Sequence, residues 1–330
     1  MPELPELIQA LLSPKAYPEP TKKVELRQTQ MSYVFLTDDY AYKIKKPVDF
    51  GFLDYTTLEK RQHYCQKEIE LNRRLCPKAY LGVLPVTSDK RLGGRGKVEE
   101  YAVKMRRLPQ EAMLDFLLEQ KRVKPEMMTA VAARLAEFHN KAATSQTISA
   151  FGSTEAITKN AEENFTQTEK YIGVTLIWRT YQRLKVYTEG FIKNNGSLFQ
   201  KRIDEGRIRD CHGDLHAAHI CFCQDICIYD CIEFNDRFRY GDVASEVAFL
   251  AMDLDRYGRP ELSQGFVDAY IEKSGDEDLK KLLNFYKCYR AYVRGKIACF
   301  QYDDPYLTTG EKEQALNNAR SYFVLADSYI

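Results

Sequence analysis

A short polar loop framed by apolar segments, residues 211–233, constrains this chain more than any other stretch. Its sequence is CHGDLHAAHICFCQDICIYDCIE, and it contains three of the chain's five histidines. His212, Asp214, His216 and His219 lie close together around the flexible Gly213. Titratable side chains are seldom buried unless they are paired. The density of such groups in one turn therefore predicts a functional site rather than a core segment.

The residues after this loop predict a β-hairpin. Residues 220–223 and 226–229 are apolar and rich in β-favouring types, and Gln224 and Asp225 separate them. Two carboxylates follow the second strand, at Asp230 and Glu233. A carboxylate placed just after a returning strand would lie beside the loop where the hairpin began.

Phosphoryl transfer from ATP would use such an arrangement. It needs a carboxylate that orients and deprotonates a hydroxyl, and further groups that hold the metal ion bridging the phosphates. We expect Asp214 to be the base, and Asp230 and His219 to be metal ligands, with Glu233 close enough to assist. Asp230 is preferred to Glu233 because it directly ends the returning strand. Imidazole is a poorer ligand for Mg²⁺ than for Mn²⁺ or Zn²⁺, so Mn²⁺ is an alternative to Mg²⁺.

A second set of candidates lies upstream, where three short strands are predicted at residues 24–28, 33–37 and 40–45. Lys43 and Lys45 share one face of the third strand. A lysine there could hold the α and β phosphates of ATP, and Glu68 on the next helix could orient it. Lys43 is the first choice and Lys45 a close second. The alternative is that both lysines form a solvated strand edge that discourages aggregation.

Three of these segments, HGDLH, YDCIEF and GDVASEVA, resemble the aminoglycoside phosphotransferase-like branch of the protein-kinase-like superfamily. The chain is most similar there to an uncharacterised bacterial group whose domain is often fused to a C-terminal P-loop ATPase. The resemblance covers roughly residues 24–300. It implies an α+β fold of two lobes: residues 1–108 with an antiparallel sheet and a helix, and residues 109–330, mainly helical. No GxxxxGK[ST] motif occurs here, so a P-loop ATPase would be a separate partner.

The resemblance also implies roles for residues outside the loop. No glycine-rich turn joins the first two strands, and Ser32 with its neighbouring amides is expected to take its place at the phosphates. Met105, in the predicted hinge 104–109, is expected to meet the adenine. His212 and Asp242 are expected to support the catalytic loop, since an acid at the position of Asp242 bonds the loop backbone in related folds. The alternative for Asp242 is a helix-start acid favoured by the helix dipole.

The acceptor is expected to be a small molecule with a hydroxyl group. Too few residues, 233–241, follow the hairpin to form a long activation segment that would dock a protein. Lys287, Arg290 and Arg294 share a face of the predicted helix 279–300. They could bind an anionic or sugar-like substrate, which argues against a polycationic aminoglycoside, although a solvated helix face is the alternative.

Composition excludes several other classes of protein. Lysine and arginine number 48 against 47 acidic residues, so we expect no nucleic-acid partner. We expect no membrane span, and the N-terminus lacks the features of a signal peptide, which together predict a cytoplasmic protein. Nine cysteines without a secretion signal predict reduced thiols. His139 is expected to be structural, and residues 147–160 to form a connection.

Two alternative functions remain open from the sequence. One is a nucleotide-binding regulatory module with weak or no turnover that works with a P-loop ATPase; the missing glycine loop and His219 motivate it. The other is a zinc hydrolase that uses the histidines together with Cys221, Cys223, Cys227 and Cys231, whose spacing does not match a zinc ribbon.

Overall fold

A six-stranded antiparallel sheet organises the first of two structural units in this computed structural model, which describes residues 4–305 and 307–330. The first unit comprises Met1–Leu117 and Ala218–Asp236. The second comprises Leu118–Ala217 and Arg237–Ile330. The observed division differs in two respects from the one expected at residue 108. The first segment of the first unit extends to Leu117, and the predicted hairpin belongs to the first unit rather than the second. It does so because its apolar side chains join the core of that unit.

The first unit contains β1 (Glu25–Gln28), β2 (Ser32–Leu36), β3 (Tyr40–Lys45), β4 (Tyr80–Thr87), β5 (Arg91–Leu92) and β6 (Val98–Arg106), in the sheet order β1-β2-β3-β6-β4-β5. Its helices are α1 (Glu6–Ala10) and α2 (Leu58–Asn72). Thr57 caps α2 by accepting a hydrogen bond from the Lys60 amide. The buried face of α2 carries Cys65, Glu68 and Ile69 and packs on the sheet. This packing places a carboxylate against the strand that holds Lys43 and Lys45.

The hairpin of the first unit is formed by β8 (Ile220–Phe222) and β9 (Ile226–Ile228). Cys221 and Cys227 are buried in one core cluster with Cys76 and Val103. Cys76 and Cys227 form a disulfide that links the end of α2 to the hairpin. The expectation that all nine cysteines are reduced is therefore wrong for this pair, because folding brings together two thiols that are 151 residues apart in sequence. The other seven cysteines form no disulfide within the described residues.

The second unit is mainly helical. Its helices are α3 (Leu114–Glu119), α4 (Pro125–Lys141), α5 (Gln146–Ser149), α6 (Thr154–Thr168), α7 (Trp178–Asn194), α8 (Gly196–Asp204), α9 (Asp236–Arg239), α10 (Val243–Arg256), α11 (Pro260–Ser274), α12 (Leu279–Tyr302) and α13 (Thr309–Asp327). The chain enters the unit within α3 and re-enters it at α9. Two short strands, β7 (Ile208–Asp210) and β10 (Tyr240–Asp242), complete the unit. Strands β7 and β10 pair antiparallel, and α10 is buried along nearly its whole length. Because β7 precedes the polar loop and β10 precedes α10, this pairing brings the loop against α10.

The segment predicted to be a connection contains helical residues of α5 and α6. Residues 147–160 were predicted to form a connection, but α6 begins at Thr154, capped by the Ser153 hydroxyl, which accepts a hydrogen bond from the Ala156 amide. Ile157, Ala161 and Phe165 are buried on one face of α6. The small and polar residues at its start concealed this periodicity, because they form the cap and the exposed face.

The predicted α+β class is confirmed, with an antiparallel sheet and a helix in the first unit and a helical second unit. Among the described residues, no helix combines the length and apolar character that crossing a membrane requires.

Candidate active-site residues

Lys43 and Lys45 form a charge network with Glu68 inside the first unit. The two lysines alternate along β3 and therefore extend from the same face. The two Glu68 oxygens divide between them, with Oε1 lying 3.1 Å from Lys43 Nζ and Oε2 lying 2.6 Å from Lys45 Nζ. Glu68 and Lys45 are buried, whereas Lys43 is partly exposed. The lysine and glutamate pair expected from the sequence is thus assembled, with both lysines taking part.

Carboxylates keep both lysines charged. Burial lowers the pKa of Lys43, but Asp230, Glu68 and Glu233 outweigh it, so the pKa lies well above the usual value. The pKa of Lys45 is raised in the same way, against the effect of burial, chiefly by Glu233 and Glu68. Buried charges persist when they are paired, and this network pairs each of them.

Asp230 is held in a backbone conformation that few side-chain-bearing residues adopt. Its φ is 63°, in the left-handed region, where aspartate is one of the better tolerated residues. Two side chains hold this turn: the Tyr80 hydroxyl accepts a hydrogen bond from the Asp230 amide at 3.2 Å, and Asn72 Oδ1 accepts one from the Cys231 amide at 2.9 Å. The conformation directs Asp230 Oδ1 to Lys43 Nζ, 2.6 Å away.

The other oxygen of Asp230 lies near His219. Asp230 Oδ2 and His219 Nε2 are 3.6 Å apart, a separation at which one ion could bind to both. A nitrogen and a carboxylate oxygen form a donor set that suits Mn²⁺ better than Mg²⁺. These two residues could hold a divalent metal ion, and their role as metal ligands stays a prediction.

Glu233 is the counter-ion of Lys45. It is buried, it forms an ion pair with Lys45, and its Oε1 accepts a hydrogen bond from the Tyr55 hydroxyl at 2.5 Å. Burial raises the pKa of Glu233, but Lys45 and Lys43 outweigh this effect and lower it. Only its other oxygen could bind a metal ion, so the main contact of Glu233 is its ion pair with Lys45.

Ser32 and Met105 both lie in strands of the sheet. Ser32 begins β2, and its carbonyl accepts a hydrogen bond from the Thr29 amide at 2.9 Å, which closes the turn between β1 and β2. Met105 lies within β6, opposite Ala41 on one side and Tyr80 on the other. The expected hinge 104–109 therefore begins inside the sheet, and the chain leaves the strand only after Arg106. The adenine and phosphate contacts of Met105 and Ser32 stay predictions.

Asp214 lies in the second unit, on a loop whose backbone is anchored at both ends. The Gly213 φ of 89° is one that glycine adopts readily. The His212 Nδ1 atom accepts a hydrogen bond from the Asp214 amide at 3.4 Å, and His216 Nε2 lies 3.5 Å from Asp214 Oδ2. The Asp214 side chain is 32% exposed, whereas His212 and His216 are buried. The loop thus presents one accessible carboxylate on a fixed backbone, and His212 contacts that backbone directly.

Two acids on α10 hold the loop, and neither is Asp242. Glu246 accepts hydrogen bonds from the His212 amide at 2.9 Å and the Gly213 amide at 2.6 Å. Asp253 accepts one from the Ala217 amide at 2.9 Å. These acids are seven residues apart and so lie on one face of the helix. The expectation that Asp242 bonds the loop is wrong.

Asp242 is instead the N-cap of α10. Its carboxylate accepts a hydrogen bond from the Ala244 amide at 2.9 Å and is paired with the buried Arg202 at 2.6 Å. Arg202 also pairs with the buried Asp276. The alternative for Asp242, an acid at a helix start, is the one that the structure bears out.

Glu246 is itself held by a buried histidine. His139 Nε2 lies 2.8 Å from Glu246 Oε2, and His139 Nδ1 lies 2.7 Å from the Tyr270 hydroxyl. Burial raises the pKa of Glu246, but His139 and the loop amide of His212 outweigh it and lower the pKa to about 2. The structural role expected of His139 is therefore specific: it orients the acid that holds the catalytic loop.

The three basic residues of α12 have different partners. Lys287 is buried and pairs with Asp255 at 2.8 Å and with the Ser263 hydroxyl at 2.9 Å. Arg290 donates hydrogen bonds to the Ser245 hydroxyl at 3.0 Å and to the Gly213 carbonyl at 3.3 Å. Arg294 lies one turn further along the same face of the helix, with its Nε 3.4 Å from the Tyr322 hydroxyl. Of the three, Arg290 contacts the loop at Gly213, Arg294 interacts electrostatically with Asp214, and the ammonium of Lys287 is held in an internal ion pair.

The cysteines of the loop and hairpin have separate environments. Cys227 is in the disulfide, Cys223 is exposed, and Cys221 is buried with its sulfur 3.9 Å from the Pro109 carbonyl. The sulfur of Cys231 lies 3.3 Å from Arg74. Among the described residues, these four do not form a group of metal ligands.

Several residues that hold the candidate side chains were missed in the sequence. The sequence did carry a signal for Glu246 and Asp253, since they are acids on the apolar face of a helix that includes Val243, Val247 and Leu250. It carried no such signal for Tyr55, Asn72 and Tyr80, because their roles depend on contacts with residues 150 or more positions away.

Comparisons with known proteins agree with this architecture. The model of the family described as "Phosphotransferase enzyme family" matches residues 59–282. The uncharacterized proteins Rv2004c of Mycobacterium tuberculosis and Mb2027c of Mycobacterium bovis are each 32% identical over 308 residues, which is 93% of this chain and 60% of theirs. The chain thus spans less than two thirds of the length of these curated relatives.

Two solved structures have the same fold at low identity. The amicoumacin kinase hAmiN, in complex with AMP-PNP, Ca²⁺ and Ami, has a TM-score of 0.56 and 14% identity over 96% of this chain and 92% of its own. The GDP complex of aminoglycoside 2'-phosphotransferase-IIIa has a TM-score of 0.55 and 14% identity over 97% of this chain and 99% of its own. At this identity the likeness extends to the fold alone. By the family match, which covers most of the chain, this protein belongs to the phosphotransferase enzyme family.

Proposed function

We propose that this protein transfers the γ-phosphoryl group of ATP to a hydroxyl group of a small metabolite. The observation that carries the proposal is the pairing of Lys43 with both Glu68 and Asp230, at 3.1 Å and 2.6 Å. Kinases use a lysine and glutamate pair at the ATP phosphates, and an aspartate that holds the metal ion. Two proteins of the same fold, one in complex with AMP-PNP and Ca²⁺ and one in complex with GDP, support a nucleotide and a divalent ion as ligands here.

In this proposal each charged residue has a defined task. Asp214 orients the acceptor hydroxyl and takes its proton as the hydroxyl oxygen attacks the γ-phosphorus. The bond from the γ-phosphorus to its bridging oxygen breaks, and ADP leaves. Lys43 contacts the phosphates, with Lys45 behind it. Asp230 and His219 would hold Mg²⁺ or Mn²⁺, which supplies neutralisation of the phosphate charge when it is bound.

Two further expectations rest on the sequence resemblance and stay predictions. One is a partnership with a P-loop ATPase, which co-purification with a tagged form of this chain would test. The other is a cytoplasmic location, where ATP is available.

The test follows label transfer from [γ-³²P]ATP to small molecules of a deproteinised cell extract, with Mg²⁺ or Mn²⁺ present. Asp214→Asn should abolish transfer without weakening stabilisation by ATP, whereas Lys43→Ala should remove that stabilisation. Asp268→Asn, at an exposed acid of the second unit, is the control and should behave as wild type. Full transfer by Asp214→Asn would contradict the role of the base. Stabilisation by ATP without any transfer would favour the regulatory module instead.

A further inference from the structure

Most buried cations of the second unit have an acidic counter-ion. Arg202 pairs with Asp242 and Asp276, Arg239 pairs with Asp210, and Lys287 pairs with Asp255. Such pairing is the rule, because an isolated buried charge is costly. A cation of this unit that departs from the rule and stays charged therefore needs another source of negative charge.

Three arginines of α10 and α12 depart from it. Arg256, Arg290 and Arg294 are half-buried, and in the part of the chain that the structure describes no carboxylate lies within ion-pair distance of them. Their hydrogen-bond partners are neutral: Asn318 Oδ1 for Arg256, Ser245 and the Gly213 carbonyl for Arg290, and the Tyr322 hydroxyl for Arg294.

Aromatic rings contact all three guanidinium groups, and Arg256 and Arg294 share one ring. The Tyr322 ring lies 4.5 Å from the Arg256 guanidinium and 5.7 Å from that of Arg294. The Phe249 ring lies 4.8 Å from the guanidinium of Arg290. Cation–π contacts fix the positions of these groups but do not provide an anionic counter-ion.

Arg294 is the member best placed to meet a ligand. It lies four residues after Arg290, whose guanidinium touches the Gly213 carbonyl, so it occupies the adjacent position on the face of α12 that meets the catalytic loop. Its single hydrogen bond within the described residues, through Nε at 3.4 Å, leaves both Nη groups available. Burial lowers its pKa, but Tyr322, Asp214 and Asp253 outweigh this and raise it, so the group stays charged. A guanidinium fork of this kind matches a carboxylate or a phosphate.

We propose that Arg294 binds an anionic group of the acceptor, so that the molecule phosphorylated is a hydroxyl compound that carries a carboxylate or a phosphate. This inference rests on the proposed function and names its substrate class. Arg256 adds positive charge behind Arg294, and Arg290 fixes the loop glycine next to Asp214. Lys287, expected from the sequence to share this task, is excluded because Asp255 neutralises it.

The experiment separates the same cell extract on an anion-exchange resin into retained and unretained pools and measures label transfer from [γ-³²P]ATP to each. We expect label transfer to molecules of the retained pool, and this transfer should be lost in Asp214→Asn. Equal or greater transfer to the unretained pool would overturn the proposal and leave the kinase function intact. No transfer to either pool would contradict the kinase function itself. Prior treatment with alkaline phosphatase distinguishes the two anions, since only a phosphate ester would lose its retention.

The variant Arg294→Gln tests the residue. The KM for the retained pool should rise on the order of 10- to 100-fold with the KM for ATP unchanged, and Arg294→Lys should restore part of the loss. Arg183→Gln removes an exposed positive charge from the same unit and should leave both KM values unchanged. An unchanged acceptor KM in Arg294→Gln would overturn the assignment, and thermal unfolding of both variants checks that they fold.

Discussion

The clearest test of the second unit replaces Glu246 with glutamine. The Glu246 carboxylate accepts hydrogen bonds from the amides of His212 and Gly213, and His139 holds it from the other side. Both loop amides donate to Oε1, so glutamine keeps their acceptor oxygen but removes its charge, and its NH₂ group takes the place of Oε2, which faces His139. The change thus weakens the anchor of the loop without leaving a cavity.

Two estimates of the cost agree. A hydrogen bond to a charged group contributes about 1.5–3 kcal/mol and one between neutral groups about 0.5–1.5 kcal/mol, and the two bonds from the loop amides change from the first kind to the second. The pKa of Glu246 is lowered from 4.5 to about 2, which at about 1.36 kcal/mol per pKa unit corresponds to ~3 kcal/mol in favour of the ionised form in the folded protein. Because this pKa is below its unfolded value, the contribution is present above pH 4.5 and is lost as the pH falls toward 2.

Hydrogen exchange at the loop amides measures this loss directly. A loop whose opening becomes easier by ~3 kcal/mol should exchange the amides of His212 and Gly213 on the order of 100-fold faster. Glu261→Gln, at an exposed acid on α11, is the matched control and should leave the exchange unchanged. Exchange at residues 212 and 213 that is no faster in Glu246→Gln would refute the reasoning.

The other predictions concern buried charge and the disulfide. Lys45→Met leaves buried carboxylates without their counter-ion and should lower the free energy of unfolding by about 3–5 kcal/mol in urea titrations, whereas Lys60→Met, at an exposed pair, should cost less than about 1 kcal/mol. Burial lowers the pKa of Lys296 to about 8, so the pH dependence of its acetylation rate should have its midpoint near pH 8, and a midpoint near pH 10.5 would contradict this. Because the unfolded chain binds this proton more tightly, the free energy of unfolding should increase from pH 8 to 10.5. Alkylation of the unfolded, unreduced protein should spare Cys76 and Cys227 alone, and labelling of either would contradict the disulfide.

Local sequence was enough to predict the elements that carry the site. Strand β3 was predicted at its observed bounds of Tyr40–Lys45, because its residue types and the proline after it are local signals. The loop around Asp214 and the hairpin after it were equally clear, since an apolar run broken by polar residues marks a turn wherever it folds. The resemblance of three short segments then predicted the α+β class.

The partners of the charged residues could not be predicted in this way. Asp242 and Glu246 are four residues apart at the start of one helix, and both suit an acid that supports a loop. Asp242 forms an ion pair with Arg202, which lies 40 residues earlier in the chain, whereas Glu246 accepts hydrogen bonds from the loop amides. Sequence order carries no information about which of two acids meets a distant arginine.

The sequence by itself therefore determined which chemical groups this protein has and in which elements they lie, because helix, strand and turn preferences act over a few residues. Only the tertiary structure decided which charges neutralise one another. Lys287 and Arg294 appeared equivalent on one helix face, yet packing gives Lys287 a carboxylate partner and gives Arg294 a tyrosine. Their difference arises from Asp255 and Tyr322, which belong to other helices. It matters because burying a charge without a counter-ion costs free energy, and only Lys287 has a counter-ion within the described residues.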